Sequence, residues 1–232
     1  MLNYKKYYNK LYEKPYHAKW RNRYKGYDEH IKLASSLVDG DRILDIGCGE
    51  GVITHTLKGN SVCGFDISAN AIKYAKNNHK NNKTKYVIGS ALYLPYKDNA
   101  FGCVSAFEVV EHLVPQDMHR CIKEIQRVCR SNGRVVISTP NLSSIYYGMI
   151  RSFRIQSKEH VNEMDFLEII NVLSTYFTIK SMHSHISSTW MRNMWLTNRI
   201  SDLQDIFLKI FPPMKSLFYS QVYTVMINTK KD

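Results

Sequence analysis

The chain has 232 residues, 44% of them apolar and 22% charged, with a formal net charge of +12. That is the composition of a globular domain large enough to bury a full core. No apolar run approaches the length of a membrane-spanning helix, and residues 1–14 lack the apolar stretch of a signal peptide.

The charge is uneven. Residues 1–32 hold nine Lys or Arg against three acids, together with seven of the sixteen Tyr and Trp20. Such clustering favours an anionic partner, whether RNA, a phosphorylated substrate or an anionic membrane surface; a solvated basic helix is the plainer reading. This segment reads as helical over 3–38, with Pro15 and Gly26 as breaks, and Tyr4, Tyr7, Tyr8, Leu11 and Tyr12 recur at helical spacing. Ile31 to Val38 reads as a short amphipathic helix.

A repeating strand–turn–helix pattern follows. Arg42–Cys48 is an apolar strand ending in a glycine turn, and Val52–Lys58 reads as a helix. Ser61–Ile67 is a second strand, Ala69–Asn77 a helix, Lys85–Gly89 a third strand and Phe101–Phe107 a fourth. Gln116–Arg130 is a helix with Met118, Cys121, Ile122, Ile125 and Val128 on one face, and Ser131-Asn132-Gly133 is expected to stop it. Arg134–Thr139 is a fifth strand. Strands separated by helices imply βαβ units and a mainly parallel sheet. Met164–Leu173 then reads as a helix, Phe177–His183 as a strand and Gln221–Asn228 as a last strand. Residues 184–220 form a long insertion with a Trp/Met/Leu stripe that ends at Pro212-Pro213. The stripe fits core packing, a cap over an acceptor pocket, contact with lipid or a subunit interface.

The five cysteines, Cys48, Cys63, Cys103, Cys121 and Cys129, form no C-x-x-C pair and no zinc spacing. Their odd number and scatter fit reduced thiols in a cytoplasmic protein.

The sharpest feature is Ile43-Leu44-Asp45-Ile46-Gly47-Cys48-Gly49-Glu50-Gly51. Glycines directly after a buried strand let the backbone turn tightly and approach a ligand closely. Asp66 ends the second strand, where a carboxylate accepts hydrogen bonds from both hydroxyls of a ribose. Capping of the following helix by Asp66 or Ser68 is the alternative use of the same residues.

These motifs resemble the class I S-adenosylmethionine-dependent methyltransferases. Leu44-Asp45-Ile46-Gly47-Cys48-Gly49-Glu50-Gly51 is similar to their first motif and Asp66 to their second. Gly89-Ser90-Ala91 with Leu94-Pro95-Tyr96, Glu108-Val109-Val110-Glu111-His112-Leu113, and Ser138-Thr139-Pro140-Asn141 are similar to the stretches that follow in the family. The likeness covers about residues 40–180, and in pattern and length it is nearest to ubiquinone-pathway O-methyltransferases. A dehydrogenase is disfavoured, because the turn is Gly-Cys-Gly-Glu-Gly rather than G-x-G-x-x-G.

The resemblance implies a Rossmann-like α/β fold with an antiparallel last strand, and S-adenosylmethionine as cofactor. It implies that Asp45, Gly47, Cys48, Gly49 and Gly51 surround the methionine half and that Asp66 holds the ribose, with Ile67 against the adenine. Ser90 and Ala91 fall at the adenine edge, and Phe107 and Glu108 near the sulfonium. Ser90 stands where the family often has Asp, and Gly102-Cys103 where Asp-x is common.

Methyl transfer requires alignment of the nucleophile and, for a hydroxyl acceptor, removal of its proton. Glu108, Glu111 and His112 fall at i, i+3 and i+4, which on a helical turn share a face. His112, Glu111 and His160 are the catalytic candidates, with histidine as the base. The same groups, with Glu108, make a donor set for a divalent metal; a metal-free histidine base is the favoured reading. A structural Glu–His hydrogen bond is the third. His183 and His185 alternate as strand neighbours, lining the pocket or facing solvent. His17, Trp20, Arg21 and Tyr24 are candidates for a lid.

The expected organisation is one methyltransferase domain. It comprises an N-terminal helical lid (1–38), a cofactor-binding core (39–183), a helical insertion (184–220) and a last strand (221–232). The expected function is methylation of a small-molecule acceptor, at oxygen, by a monomer or homodimer, with peripheral membrane contact open. The alternatives are a metal-assisted RNA 2′-O-methyltransferase and a non-catalytic S-adenosylmethionine-binding protein.

Overall fold

The computed structural model describes residues 3–14, 16, 27–141, 161–185 and 221–229. The expected lid residues His17, Trp20, Arg21 and Tyr24, the catalytic candidate His160 and the insertion beyond residue 185 lie outside these, as does the side chain of His185.

Helices α1 (Tyr4–Leu11) and α2 (Tyr27–Leu37) precede the sheet. Then come β1 (Arg42–Ile46), β2 (Ser61–Asp66), α3 (Ala69–Asn78), β3 (Thr84–Ile88), β4 (Phe101–Phe107), α4 (Pro115–Val128) and β5 (Cys129–Pro140). Helix α5 (Phe166–Ser174) and strands β6 (Thr178–His185) and β7 (Gln221–Ile227) follow. The strands form one sheet in the order β3-β2-β1-β4-β5-β7-β6. Pairing is parallel from β3 through β5, and β7 runs antiparallel to both β5 and β6. This is the Rossmann-like sheet with an antiparallel late strand that the sequence implied.

Burial explains the apolar runs. Every residue of β4 is buried, as are four of five in β1, because a parallel sheet is covered on both faces. One layer contains α4, whose Met118, Cys121, Ile122, Ile125 and Val128 pack on Leu44, Val104, Val135 and Ile137. The other contains α2, with Ala34 and Leu37 against Ile43, Cys103, Val136 and Tyr223. Helix α4 starts with Pro115 at its first turn, where the missing N–H costs nothing.

Two expected elements change. Val52–Lys58 is not an α-helix: only Thr54–Thr56 is helical, as a single 3-10 turn, and Leu57 is already extended. The run Val52, Ile53, Thr54, Thr56 is β-branched and disfavours a longer helix. The Thr54 hydroxyl donates to Asp45 Oδ2 at 2.7 Å instead. Nor does Ser131-Asn132-Gly133 stop α4, which ends at Val128 with Cys129 extended. Those three residues lie inside β5 at a register shift against β4, with Asn132 at φ 58°. The Asn228 side chain seals that end, donating to the carbonyls of Gln126 (2.9 Å) and Cys129 (2.7 Å).

Candidate active site

The strand order reverses between β1 and β4, where α/β sheets open a crevice at the carboxyl ends of their strands. The loops leaving β1, β2, β3 and β4 all emerge at this end, so the topology gathers Asp45, Gly47–Gly51, Asp66–Ile67, Ser90–Ala91 and Phe107–His112 along one edge of the sheet.

The glycine loop is held by backbone and carboxylate alike. The amides of Gly47 and Cys48 both donate to the Phe65 carbonyl, at 2.7 and 3.2 Å. Gly49 donates to Asp66 Oδ2 at 2.9 Å, while Asp66 Oδ1 accepts from the Ser68 amide at 2.7 Å. Gly47, Gly49 and Gly51 have φ of 68°, 52° and 78°, the left-handed region that glycine enters without penalty. A Cβ on Gly47 would stand 2.4 Å from Val109 Cγ2, so this loop is pressed on the residues after β4.

Two carboxylates under the loop are buried with partners. Asp45 accepts from Thr54 and from Ser105 Oγ at 2.8 Å. Burial pushes its carboxyl up to about 6, and the two hydroxyls pull it the other way. Burial also raises the Asp66 carboxyl, against the amides of Ser68 and Gly49. With the Ile67 amide as a third donor, the carboxylate retains acceptor capacity beyond these amides, as a ribose hydroxyl requires. Ser68 is the N-cap of α3, its hydroxyl accepting from the Ala71 amide, so capping is Ser68's task and not Asp66's. Ser90 Oγ accepts from the Leu92 amide at 3.3 Å. Ile67 and Ala91 are half-buried, and Phe107 is buried against Tyr223.

The stretch after β4 differs from the expected helical face. Glu108 is left-handed, at φ 54°, and stands outside the 3-10 turn Val110–His112. Its amide donates to the Ser138 carbonyl and its carboxylate accepts from Ser138 Oγ at 2.7 Å. Glu111 turns inward and is fully buried. Glu108 and Thr139 are its polar neighbours, yet neither Glu111 oxygen, nor the Thr139 hydroxyl, reaches hydrogen-bond geometry. Burial first, and then the Glu108 charge, raise the Glu111 carboxyl well above the usual carboxylate range. His112 Nε2 lies 3.9 Å from Glu111 Oε1, too far for a hydrogen bond, and its ring meets Tyr8 edge-on with centroids 5.9 Å apart. The Glu111 carbonyl accepts from the amides of Val161 and Asn162, both at 3.0 Å. No group of three or more His, Cys, Asp or Glu among the described residues has metal-binding geometry.

Helix α1 adds residues that motif reading missed. Asn9 Oδ1 accepts from the Ala69 amide (2.8 Å) and the Ser68 hydroxyl (3.1 Å), and the Asn9 carbonyl accepts from Asn70. At the other end of the helix, the Tyr4 hydroxyl donates to Asp117 and accepts from the Val114 amide. Tyr8 touches His112, and Tyr12 is half-buried near Asp66, Tyr16, Glu50 and Cys48. The helix therefore crosses the mouth of the crevice, from the loop after β2 to the loop after β4. The spacing of Tyr4, Tyr8 and Tyr12 was the visible signal for this; Asn9 left none.

A glycine loop after β1, an acid ending β2 and this strand order define a Rossmann-like methyltransferase fold. Residues 44–137 match the family described as a methyltransferase domain. Over this stretch the chain is similar to methyltransferase domains, and its sheet has their fold. Solved structures agree at fold level. The methyltransferase complexed with the Trm112 activator of Haloferax volcanii superposes with TM-score 0.66 at 14% identity, covering 93% of each chain. The N-methyltransferase NodS of Bradyrhizobium japonicum, solved with S-adenosyl-L-homocysteine, gives 0.60 at 14% identity over 95% of this chain and 91% of NodS.

Among sequence relatives, an uncharacterised protein of Methanocaldococcus jannaschii is 34% identical over 61% of this chain and 53% of its own. The ubiquinone biosynthesis O-methyltransferase of Pelagibacter ubique is 34% identical over 49% and 48%, and the norajmaline N-methyltransferase of Rauvolfia serpentina 34% over 47% and 41%. The chain thus spans about half the length of these curated relatives. No helix among the described residues is long and apolar enough to cross a membrane.

Proposed function

We propose that this protein transfers the methyl group of S-adenosylmethionine to a small-molecule acceptor, at an oxygen atom, with His112 as the base. Bound in the crevice, the cofactor supplies a methyl group already activated on a sulfonium. Asp66 holds its ribose through the acceptor capacity left by its amide partners, with Ile67, Ser90 and Ala91 flanking the adenine. Asp45 and the loop Gly47–Gly51, with Cys48, shape the methionine end beside Phe107 and Glu108. Helix α1 serves as the lid over the cofactor, within a single domain whose core spans residues 39–183.

The observation that carries the reading is the fully buried Glu111 carboxyl beside His112. A carboxyl driven far above its ordinary range by burial and by the neighbouring Glu108 charge marks a functional-site candidate, and His112 stands beside it. In this reading His112 takes the acceptor's hydroxyl proton as general base, and the buried, protonated Glu111 carboxyl supports the turn that carries it. His160, from the segment just before Val161, remains a catalytic candidate of the same reading. Relatives that methylate nitrogen and oxygen are equally close, so the acceptor atom rests on His112 and Glu111 alone.

The test is incubation of the purified protein with S-adenosylmethionine and matched panels of phenols, carboxylic acids and amines, reading S-adenosylhomocysteine by mass spectrometry. Turnover with hydroxyl acceptors that is lost in His112→Ala supports the proposal. Turnover confined to amines overturns the oxygen assignment. Cofactor binding without turnover on any panel favours the non-catalytic alternative.

A further inference from the structure

The exposed sides of α1 and α3, turned away from the crevice residues, are strongly basic. From Ile67 to Lys97 the sequence contains six lysines and no Asp or Glu. On α3, Lys73, Lys76 and Lys80, just past its end, are exposed, and so are Asn77 and Asn78. Helix α1 is tied to the N-terminus of α3 through Asn9 and carries exposed Lys5, Lys6 and Lys10. The ion pairs of the described residues use Arg120, Arg127, Arg134 and His112, and none uses one of these six lysines.

Intramolecular reasons account for only part of this charge. Lys83 precedes and Lys85 lies within the edge strand β3, where lysine discourages edge-to-edge pairing. Lys10 and Lys76 complement the negative ends of their helices. Lys5 and Lys6 do the opposite, since they occupy the first turn of α1. Lys73 and Lys76 stand at i and i+3 on α3, a like-charge spacing that destabilises a helix by about 0.2–0.5 kcal/mol, and Lys80 follows just past the helix end. Repulsion left uncompensated within the fold is relieved by an anionic partner.

We propose that the face made by α1 and α3 docks the phosphate backbone of a nucleic acid. The chemistry of the face selects this partner over a lipid surface. Its exposed groups are ammonium and amide donors, suited to phosphate and sugar oxygens. Tyr7 alone on these two helices is a large exposed hydrophobic, whereas a bilayer-seated helix presents a continuous apolar side. Contacts of this kind carry no sequence preference and depend steeply on salt. The proposal goes beyond the methyl-transfer reading, because it concerns where the protein docks and not which atom it methylates.

The experiment is fluorescence anisotropy with labelled RNA and DNA oligonucleotides of about 20 nucleotides, titrated from about 50 to about 200 mM salt. The wild-type protein is compared with Lys73→Glu/Lys76→Glu/Lys80→Glu. A control, Lys58→Glu/Lys123→Glu/Lys180→Glu, makes the same change of net charge at exposed positions elsewhere. Circular dichroism and S-adenosylhomocysteine affinity verify that each protein is folded, and the corresponding Lys→Gln triples replace any that is not. The expected result is wild-type binding with a steep salt dependence. The α3 triple should bind at least about tenfold more weakly, with a log–log salt slope smaller by about three, and the control should stay close to wild type. Absence of wild-type binding at low salt overturns the proposal, as does equal loss in the two triples. Co-sedimentation with phosphatidylglycerol vesicles but no oligonucleotide binding overturns it in favour of a membrane surface.

Discussion

The backbone amide of Gly49 donates to the carboxylate of Asp66 at 2.9 Å, so the turn after β1 is fastened to the end of β2 before any ligand arrives. The acid proposed to hold the cofactor's ribose thus also holds the loop proposed to meet its methionine half. Asp66→Ala should weaken S-adenosylhomocysteine binding by about 1–3 kcal/mol, the scale of charge-assisted hydrogen bonds to a buried group. Isothermal titration measures this directly, and unchanged affinity would remove Asp66 from the site.

Gly47 has φ 68° and no room for a side chain against Val109. Gly47→Ala should therefore destabilise the fold by about 1–3 kcal/mol, the cost of a strained left-handed residue plus the clash. Adding Val109→Ala should recover part of the loss in urea melts, because it removes the clash and leaves the strain. No recovery would mean that the loop is not pressed on the segment after β4.

Asp45 supplies a pH dependence whose sign is fixed by its environment. Its carboxyl is raised from 3.8 to about 6, chiefly by burial. The folded state therefore holds this proton more tightly than the unfolded chain does. Its contribution favours folding fully below the unfolded value and is lost as pH rises through about 6. Asp45→Asn cannot titrate. The stability of wild type minus that of the variant should fall by on the order of 1–3 kcal/mol between about pH 4 and about pH 7. A constant difference across that window would show that Asp45 titrates normally.

His112→Ala should lower turnover by about 10²–10⁴-fold, the usual worth of a general base, while leaving cofactor affinity nearly intact. Turnover equal to wild type would take His112 off the catalytic list and leave its contact with Tyr8 as packing.

Asn9→Ala deletes the acceptor that ties α1 to the start of α3. The expected cost is about 1 kcal/mol, read as faster hydrogen exchange at residues 4–11 and a weakened cofactor complex. If exchange in α1 is unchanged, the aromatic contacts of Tyr4, Tyr8 and Tyr12 hold the helix by themselves.

Much of this arrangement was legible in the chain. Apolar runs bounded by glycine and Asn-rich turns located the parallel strands, because a strand buried on both faces needs no polar alternation. The glycine turn and Asp66 marked the crevice. Glu108 was misplaced because spacing alone presumes a helix; its left-handed backbone comes from the crossing at Ser138, a contact thirty residues away in sequence. Ser105 was passed over, although one hydroxyl within the buried strand Phe101–Phe107 was a cue that a polar partner, here Asp45, lay beneath. Asn9 could not be found, because its partners lie about sixty residues further along the chain.

Strand β7 comes after β6 in the chain, yet it lies between β5 and β6 in the sheet. A nascent chain that has released β6 but not residues 221–227 has no neighbour for β6 and carries the inner strand β5 with a bare edge. Until β7 is delivered, that edge is open to pairing with any other extended chain. The order of synthesis therefore leaves the centre of the late sheet to be filled last.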